Sequence, residues 1–193
     1  MTVRPRTQRR SQETRERILD AAIACFGERG FEATTMNAIA ERADVARATV
    51  FNHFADKQAL LTAYLDRRRA RVVALVEAAD HDSVQTLSEA FTLLAEENER
   101  SRTETRELVH AWLRTGGSAN AESTERLLAD LVAAGQKRGE LAADIDPELT
   151  GRLLFDVYAG VIVRWTAEPP PFSLRETLLD ALSLLLIGLG PRG

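Results

Sequence analysis

The sequence predicts an all-α fold, in which a small three-helix head is joined to a six-helix body. No stretch shows the sustained alternation of apolar and polar residues that is typical of strands. Apolar residues recur instead at helical spacing, in segments that begin at Ser, Thr, Asn or Asp and end near Gly or Pro. The chain has 193 residues, 45% hydrophobic and 28% charged, which is enough for a head on a larger folded body.

The first helix of the head is predicted to follow a basic arm. Residues 1–10 contain four arginines, one proline and few apolar groups, which is typical of a flexible, solvated terminus. Alternatively, such an arm lies along DNA phosphates or enters the minor groove once a head is docked. Apolar residues then recur on one face of residues 11–29, and Gly30 is placed to end that helix.

Two short helices with a turn between them complete the head. Residues 35–42 are predicted as an amphipathic helix with Thr34 or Thr35 as its N-cap, and Asp44 tolerates a turn conformation. Residues 46–53 form the second helix. Its polar side presents Arg47, Thr49, Asn52 and His53, and its apolar side presents Val50 and Phe54. Polar groups of this kind suit a helix that reads the major groove, but any amphipathic helix alternates in the same way.

The body is predicted as six helices. Residues 57–79 form a long helix that begins after Asp56 and links head to body. Five further helices have start signals at Asp82 with Gln85, Ser101 with Glu104, Asn120, Asp146-Pro147-Glu148, and Ser173 with Glu176. The helix that starts at Pro147 is expected to run to Trp165, and the last helix to Leu189.

The turn and its flanking helices also contain particular residue types at defined positions. The residues are Thr34, Thr35, Ile39, Ala40, Ala43, Asp44, Val45, Ala46, residues 49–54, Lys57 and Leu60. This spacing resembles the signature of the TetR family of bacterial transcriptional regulators, T-T-x-x-x-I-A-x-x-A-G-V-S followed by T-[LFV]-[YF]-x-[HY]-F-x-x-K-x-x-L. Asp44 replaces the usual Gly, and Ala46 replaces a capping Ser worth about 1 kcal/mol. Phe51 lacks the hydroxyl that Tyr at this position commonly offers to a phosphate.

The resemblance implies an organisation and a set of contacts. After the arm of residues 1–10, residues 11–56 would be the DNA-binding domain, and residues 57–193 the effector-binding and dimerisation domain. The partner would be a palindromic double-stranded operator, from which a small molecule releases the repressor. Thr35 and Lys57 would contact the DNA backbone. The full set expected to face DNA is Thr35, Arg47, Ala48, Thr49, Phe51, Asn52, His53 and Lys57.

Charge is distributed unevenly along the chain. The net charge is −4, but residues 1–71 carry 14 Lys and Arg against 9 Asp and Glu, whereas residues 72–193 carry 11 against 20. A basic head on an acidic body suits phosphate binding at one end only. The single cysteine, Cys25, allows no intrachain disulfide and is expected to be buried, so a cytoplasmic location is predicted.

Five aromatic residues on the predicted body helices are candidates for the walls of an effector pocket. They are Phe91, Trp112, Phe155, Tyr158 and Trp165. Any one of them is more often plain core, but TetR-family bodies typically enclose a pocket, which favours that role for the set. A partly apolar ligand is therefore expected.

An enzyme would need a catalytic constellation. The sequence has no Gly-rich phosphate loop, no His-Glu-x-x-His pair and no serine nucleophile elbow, and its 3 histidines are scattered. No catalytic residue, metal site or cofactor is therefore expected. The alternatives are a helical-bundle enzyme or carrier with an incidental helix-turn-helix, and a constitutive DNA-binding protein without effector.

The last helix predicts a homodimer. Nine of the twelve residues at 178–189 are apolar and wrap the whole circumference of the helix, which is more than one face of a monomer would use. Pairing through the last two helices would cover them. A segment of this length is too short to cross a bilayer, and the basic start is not followed by the apolar run of a signal peptide, so no membrane association is expected.

Overall fold

The computed structural model describes residues 6–80, 82–114, 116, 121–167, 169 and 172–189. These residues form nine α-helices: α1 Arg6–Arg29, α2 Met36–Arg42, α3 Arg47–His53, α4 Lys57–Ala78, α5 Ser83–Arg100, α6 Arg102–Arg114, α7 Ala121–Arg138, α8 Pro147–Trp165 and α9 Leu174–Leu189. No strand occurs in this part of the chain. The predicted all-α fold is confirmed, with α1–α3 as the head and α4–α9 as the body.

Three predicted helix starts in the body are held by aspartate caps. Asp56, Asp82 and Asp146 each accept a hydrogen bond from a backbone amide in the first turn of α4, α5 and α8, at 2.8 to 2.9 Å. The helix α1 is longer than predicted, because it begins at Arg6 and includes residues 6–10 of the expected arm. Residues 1–5 of that arm, and the cap predicted at Asn120, lie outside the described residues.

The hydrophobic core of the head extends beyond its three helices. Buried residues of α1–α3 cluster with Leu60, Leu61 and Ala63 of α4 and with Leu108 and Ala111 of α6. Cys25 of α1 is 2% exposed and belongs to the same cluster, as a small apolar residue would. The predicted boundary between residues 56 and 57 therefore passes through a continuous core.

The body has its own core, in which α7 and α8 form the most extensive helix pair. A Cβ atom added at Gly151 of α8 would lie 2.5 Å from the carbonyl oxygen of Glu125 and 2.6 Å from the amide nitrogen of Ala129. Only glycine lets α8 approach the α7 backbone this closely. None of the described helices has the length and apolar character needed to cross a bilayer.

Candidate DNA-reading helix and ligand cavity

The turn between α2 and α3 depends on backbone geometry that the sequence allows. Thr35 caps α2, since its Oγ1 accepts a hydrogen bond from the amide of Ala38 at 3.1 Å. Asp44 lies in the left-handed region with φ of 51°, a conformation that Asp adopts more readily than most residues. Ala46 is the N-cap of α3 and makes no side-chain capping bond. The predicted loss of that cap is therefore confirmed.

The outer face of α3 presents most of the residues predicted to meet DNA. Arg47, Ala48, Phe51 and Asn52 are exposed, and Thr49 and His53 are half-buried. The opposite face anchors the helix: Val50 and Phe54 are buried in the head core. The guanidinium of Arg47 lies 5.4 Å from the centroid of the Phe51 ring, one turn away, so the ring positions the longest donor on this surface.

Lys57, predicted as a backbone contact to DNA, also holds the turn that follows α1. Its Nζ donates to the carbonyl oxygens of Phe31 at 2.7 Å and Glu32 at 3.0 Å, and it lies 4.8 Å from the centroid of the Phe31 ring. An ammonium has three donors, so one N–H remains for a phosphate. The sequence motif gave no sign of this second role.

Thr34 also holds the segment between α1 and α2 in place. Its hydroxyl donates toward the carbonyl oxygens of Cys25 and Gly30, at 3.1 and 2.8 Å, and the residue is 1% exposed. The two adjacent threonines therefore have different roles. Thr34 secures the end of α1 from inside, whereas Thr35 starts α2 at the surface, where it was predicted to face the DNA backbone.

The body contains a partly open cavity of about 130 Å³. Its walls come from α4–α8: Leu65, Arg68, Arg69, Val72, Ala90, Phe91, Leu94, Asn98, Thr105, Leu108, Val109, Trp112, Thr124, Leu127, Leu128, Phe155, Tyr158, Ala159 and Ile162. Four of the five predicted aromatics line it, and the structure brings them together. Trp165 does not line it but is buried in the body core, with the guanidinium of Arg102 lying 5.5 Å from its ring centroid.

One corner of this apolar cavity is polar. Arg68 Nη1 donates to Asn98 Oδ1 at 2.9 Å, and Asn98 Nδ2 donates to Tyr158 Oη at 3.1 Å and to the Leu94 carbonyl oxygen at 2.7 Å. Thr105 Oγ1 donates to the Asn98 carbonyl oxygen at 3.0 Å. Asn98 is fully buried, so this network fixes the mutual positions of α4, α5 and α8.

Arg68 is also paired with an acid behind the cavity wall. Its Nε lies 3.3 Å from Glu97 Oε2, and Glu97 further pairs with Arg71. Burial by itself lowers the pKa of Arg68, but Tyr158, Tyr64 and Glu97 raise it overall above its ordinary value. The cavity wall therefore carries a permanent positive charge.

A spacing signal for Arg68 is present in the sequence. Leu61, Leu65, Arg68 and Val72 follow one another at intervals of four, three and four, which is the inward stripe of a helix. An arginine in that stripe indicates a buried charge. Four of the five residues at 67–71 are arginines, so residue type alone does not show that Arg68 is the one that faces inward.

A second, more polar space adjoins the cavity. This cleft of about 390 Å³ lies between α4 and α7 and is lined by Arg69, Val73, Glu122, Ser123, Arg126, Leu127 and Asp130. Arg69 and Leu127 belong to both linings, so they separate the inner cavity from the outer cleft. Among the described residues, no group of three or more His, Cys, Asp or Glu side chains is arranged to hold a metal ion.

Comparison with known proteins matches both parts of the chain. Residues 18–64 match the bacterial regulatory proteins of the tetR family, and residues 62–188 match the C-terminal domain of TetR/AcrR family transcriptional repressors. The HTH-type transcriptional repressor KstR of Mycobacterium tuberculosis is 30% identical over 92% of this chain and 82% of its own length.

Solved structures agree with these matches. FadR of Thermus thermophilus, a TetR-family transcriptional repressor solved in complex with lauroyl-CoA, is 32% identical, with a TM-score of 0.70 over 93% of this chain and 96% of its own. SmeT, the repressor of the Stenotrophomonas maltophilia multidrug efflux pump SmeDEF, is 28% identical, with a TM-score of 0.76 over 95% of this chain and 93% of its own. The chain therefore belongs to the TetR family and is a DNA-binding transcriptional regulator rather than an enzyme.

Proposed function

We propose that this protein is a homodimeric repressor that binds a palindromic operator in the cytoplasm and leaves it when a small molecule occupies the body cavity. The observation that carries the proposal is the position of Leu108. This residue lines the cavity and is also part of the head core. A ligand that displaces Leu108 acts on the packing that supports the DNA-reading helix.

The helix α4 supplies a second connection between cavity and head. Arg68 and Val72 of α4 line the cavity, whereas Leu60 and Leu61, two turns earlier, are buried in the head core. The helix is continuous between these points, so a shift at its cavity end moves its head end. Such a ligand must prefer the conformation that does not bind DNA, because equal affinity for both conformations would shift nothing.

The surface of α8 and α9 supports the dimer. Leu149 and Leu153 of α8 are 49% and 47% exposed, and Leu184 and Ile187 of α9 are 72% and 77% exposed. Apart from its chain neighbours and the backbone of its own helix, no atom of the described residues lies within 4 Å of a Cβ added at Gly160 of α8, so this part of the surface is open to a close helix approach. A two-fold pair through this surface would present two α3 helices to successive major grooves, about 34–36 Å apart.

The relatives support repression and a small-molecule effector. KstR and SmeT are named as repressors, and the Thermus FadR structure contains lauroyl-CoA. The division of DNA contacts that we propose assigns base reading to Arg47, Thr49 and Asn52. Thr35 and Lys57 contact phosphates, and His53 serves either role. Ala48 and Phe51 complete the contact surface through their exposed positions on α3.

The test uses the full chain and the DNA that flanks its own gene. An electrophoretic shift on that DNA, and none on a scrambled duplex, is expected first. A thermal-shift screen of apolar and amphipathic molecules then identifies ligands, which are added to the protein–DNA complex. Ligands that stabilise the protein should weaken operator binding by about 5- to 150-fold. Binding without any loss of operator affinity would instead indicate a constitutive DNA-binding protein.

A further inference from the structure

Building on the proposed function, we propose that the effector is an amphipathic carboxylate whose anionic group pairs with Arg68 at the polar corner of the cavity. The starting observation is an unsatisfied donor. Arg68 lines the cavity, and its Nη2 is buried and has no hydrogen-bond partner among the described residues. A buried donor without a partner costs about 1–3 kcal/mol, and more when it is charged, so a structure rarely keeps one without a use.

Arg69, the next residue, also has a buried donor that lacks a partner. It also lines the cavity, and its buried Nε has no hydrogen-bond partner among the described residues. Its Nη2 lies 3.3 Å from Asp66, one turn back on the surface side of α4. Each of these two adjacent guanidinium groups therefore has one buried nitrogen that makes no hydrogen bond to the described residues.

The sign of charge in the cavity favours an anion. Of the described residues that line it, Arg68 and Arg69 are charged, and none is an Asp or Glu. The acids that pair with the two arginines, Glu97 and Asp66, are not in the lining. A bound cation would meet two like charges with no lining acid to offset them, whereas a bound anion supplies the missing acceptor.

A carboxylate suits this corner better than a neutral acceptor. Guanidinium and carboxylate groups are both planar and form paired, charge-assisted hydrogen bonds about twice as strong as neutral ones. The side chain of Arg68 is 13% exposed, so little water screens such a pair. Glu97, which is 6% exposed, already competes for the same guanidinium from behind the wall.

The rest of the ligand must be apolar. The remaining wall is dominated by aliphatic and aromatic side chains, among them Phe91, Trp112 and Phe155. The volume, about 130 Å³, is similar to that of an engineered cavity of about 150 Å³ that accepts benzene. A short hydrocarbon chain or a single ring with a carboxylate fits the space, and a longer ligand would extend past Arg69 into the outer cleft.

The probes are octanoate, n-octanol and octylamine, which share one chain and differ in head-group charge. Calorimetric titration of the full-length protein at neutral pH should show octanoate binding about 10- to 100-fold more tightly than n-octanol, as one charge-assisted hydrogen bond predicts. Octylamine should bind most weakly. Octanoate should also release the operator at a lower concentration than n-octanol.

Two substitutions with opposite expected effects on octanoate binding distinguish ligand recognition by Arg68 from a purely structural role. Arg68→Gln should abolish the preference for octanoate, so that octanoate and n-octanol bind the variant with similar affinity. Glu97→Gln removes the internal competitor and should strengthen octanoate binding several-fold. The double variant Arg68→Gln with Glu97→Gln removes the buried charges together and covers the case in which Arg68→Gln fails to fold. Arg71→Gln, which breaks a pair with the same Glu97 outside the cavity, should keep the preference.

The outcomes separate this inference from the proposed function. If n-octanol binds and releases the operator as well as octanoate does, the carboxylate assignment is wrong and the effector-responsive repressor stands. If Arg68→Gln and the double variant retain the octanoate preference, Arg68 is a structural ion-pair residue only. If no probe binds, the carboxylate assignment fails, and the ligand-free operator shift decides separately whether DNA binding holds.

Discussion

Arg67 of α4 lies 2.6 Å from the carboxylate of Asp20 in α1, measured between Nη1 and Oδ1. The same guanidinium lies 3.3 Å from Glu16, one turn earlier on α1. The next residue along α4 is Arg68, which lines the ligand cavity. Two adjacent arginines of α4 therefore serve two sites: Arg67 pairs with the first helix of the head, and Arg68 lines the cavity. We infer that a movement of α4 at the cavity is passed to α1 through the Arg67 ion pairs.

We expect Arg67→Gln to weaken the link between ligand and DNA with little effect on either binding event alone. Arg67 and Asp20 are 36% and 66% exposed, so their pair contributes less than about 1 kcal/mol to stability. The measurement is operator affinity with and without ligand, and the ratio should fall toward one. Asp20→Asn breaks the same pair and should behave alike. An unchanged ratio in both variants would show that coupling runs through α6 instead.

Arg47→Ala should reduce operator affinity by about 1–3 kcal/mol and relax the preference at one base position in each half-site. Arg47 is exposed at the start of α3 and has paired donors that fit a guanine edge. Binding is measured on the operator and on a set of single-base variants. A uniform loss of affinity with the sequence preference intact would reassign Arg47 to phosphate contact.

Lys57→Ala should weaken binding to operator and to random DNA almost equally, because a phosphate contact carries no sequence information. The slope of log affinity against log salt should flatten by about one unit. The loss of two charged hydrogen bonds to Phe31 and Glu32 should also lower the free energy of unfolding, which urea denaturation measures. Lower stability with an unchanged salt slope would restrict Lys57 to holding the turn.

Ala46→Ser should stabilise α3 by about 0.5–2 kcal/mol. Ala46 already has the extended backbone of an N-cap, with φ of −62° and ψ of 144°, and lacks only the side-chain acceptor. Thr35→Ala is the matched control, since it removes the existing cap of α2 and should destabilise by a similar amount. Chemical denaturation compares the two. No gain from Ala46→Ser would mean that the amides at the start of α3 are already satisfied by solvent.

Ile187→Asp should convert a dimer into a folded monomer. Ile187 is 77% exposed on α9, so in a monomer the charge would meet solvent, whereas in the proposed interface it would be buried without a partner. Light scattering gives the mass, and circular dichroism verifies the helix content. Leu113→Asp, at a position on α6 that is 46% exposed, is the control and should remain dimeric. A monomeric wild-type protein at micromolar concentration would contradict the interface itself.

Local signals in the sequence predicted the helices well. Asp56, Asp82 and Asp146 mark helix starts because each carboxylate accepts a hydrogen bond from a free backbone amide in the first turn. This contact spans only two or three residues, so it can be predicted from local sequence. The start of α1 was missed, because Arg9 pairs with Glu13 and extends the helix through residues that composition alone marks as a solvated tail.

The cavity was harder to predict, because it depends on how distant helices cross. Four aromatics were correctly placed on body helices, but whether each faces the cavity or the core is decided by packing angles that the sequence does not encode locally. Trp165 is the clear case, since it is buried beside the cavity rather than in its wall. The two roles of Leu108 have the same origin, because they arise only where α6 packs against both α1 and the other helices of the body.

The continuity of the head core has a consequence for how the molecule melts. A polypeptide ending at residue 56 would expose the surfaces that Leu60, Leu61, Leu108 and Ala111 cover, so the head has no complete interior of its own. Head and body should therefore unfold in a single cooperative heat-absorption peak. Amide protons of α1 and α2, neither of which lines the cavity, should exchange with deuterium more slowly once a ligand is bound to the intact dimer.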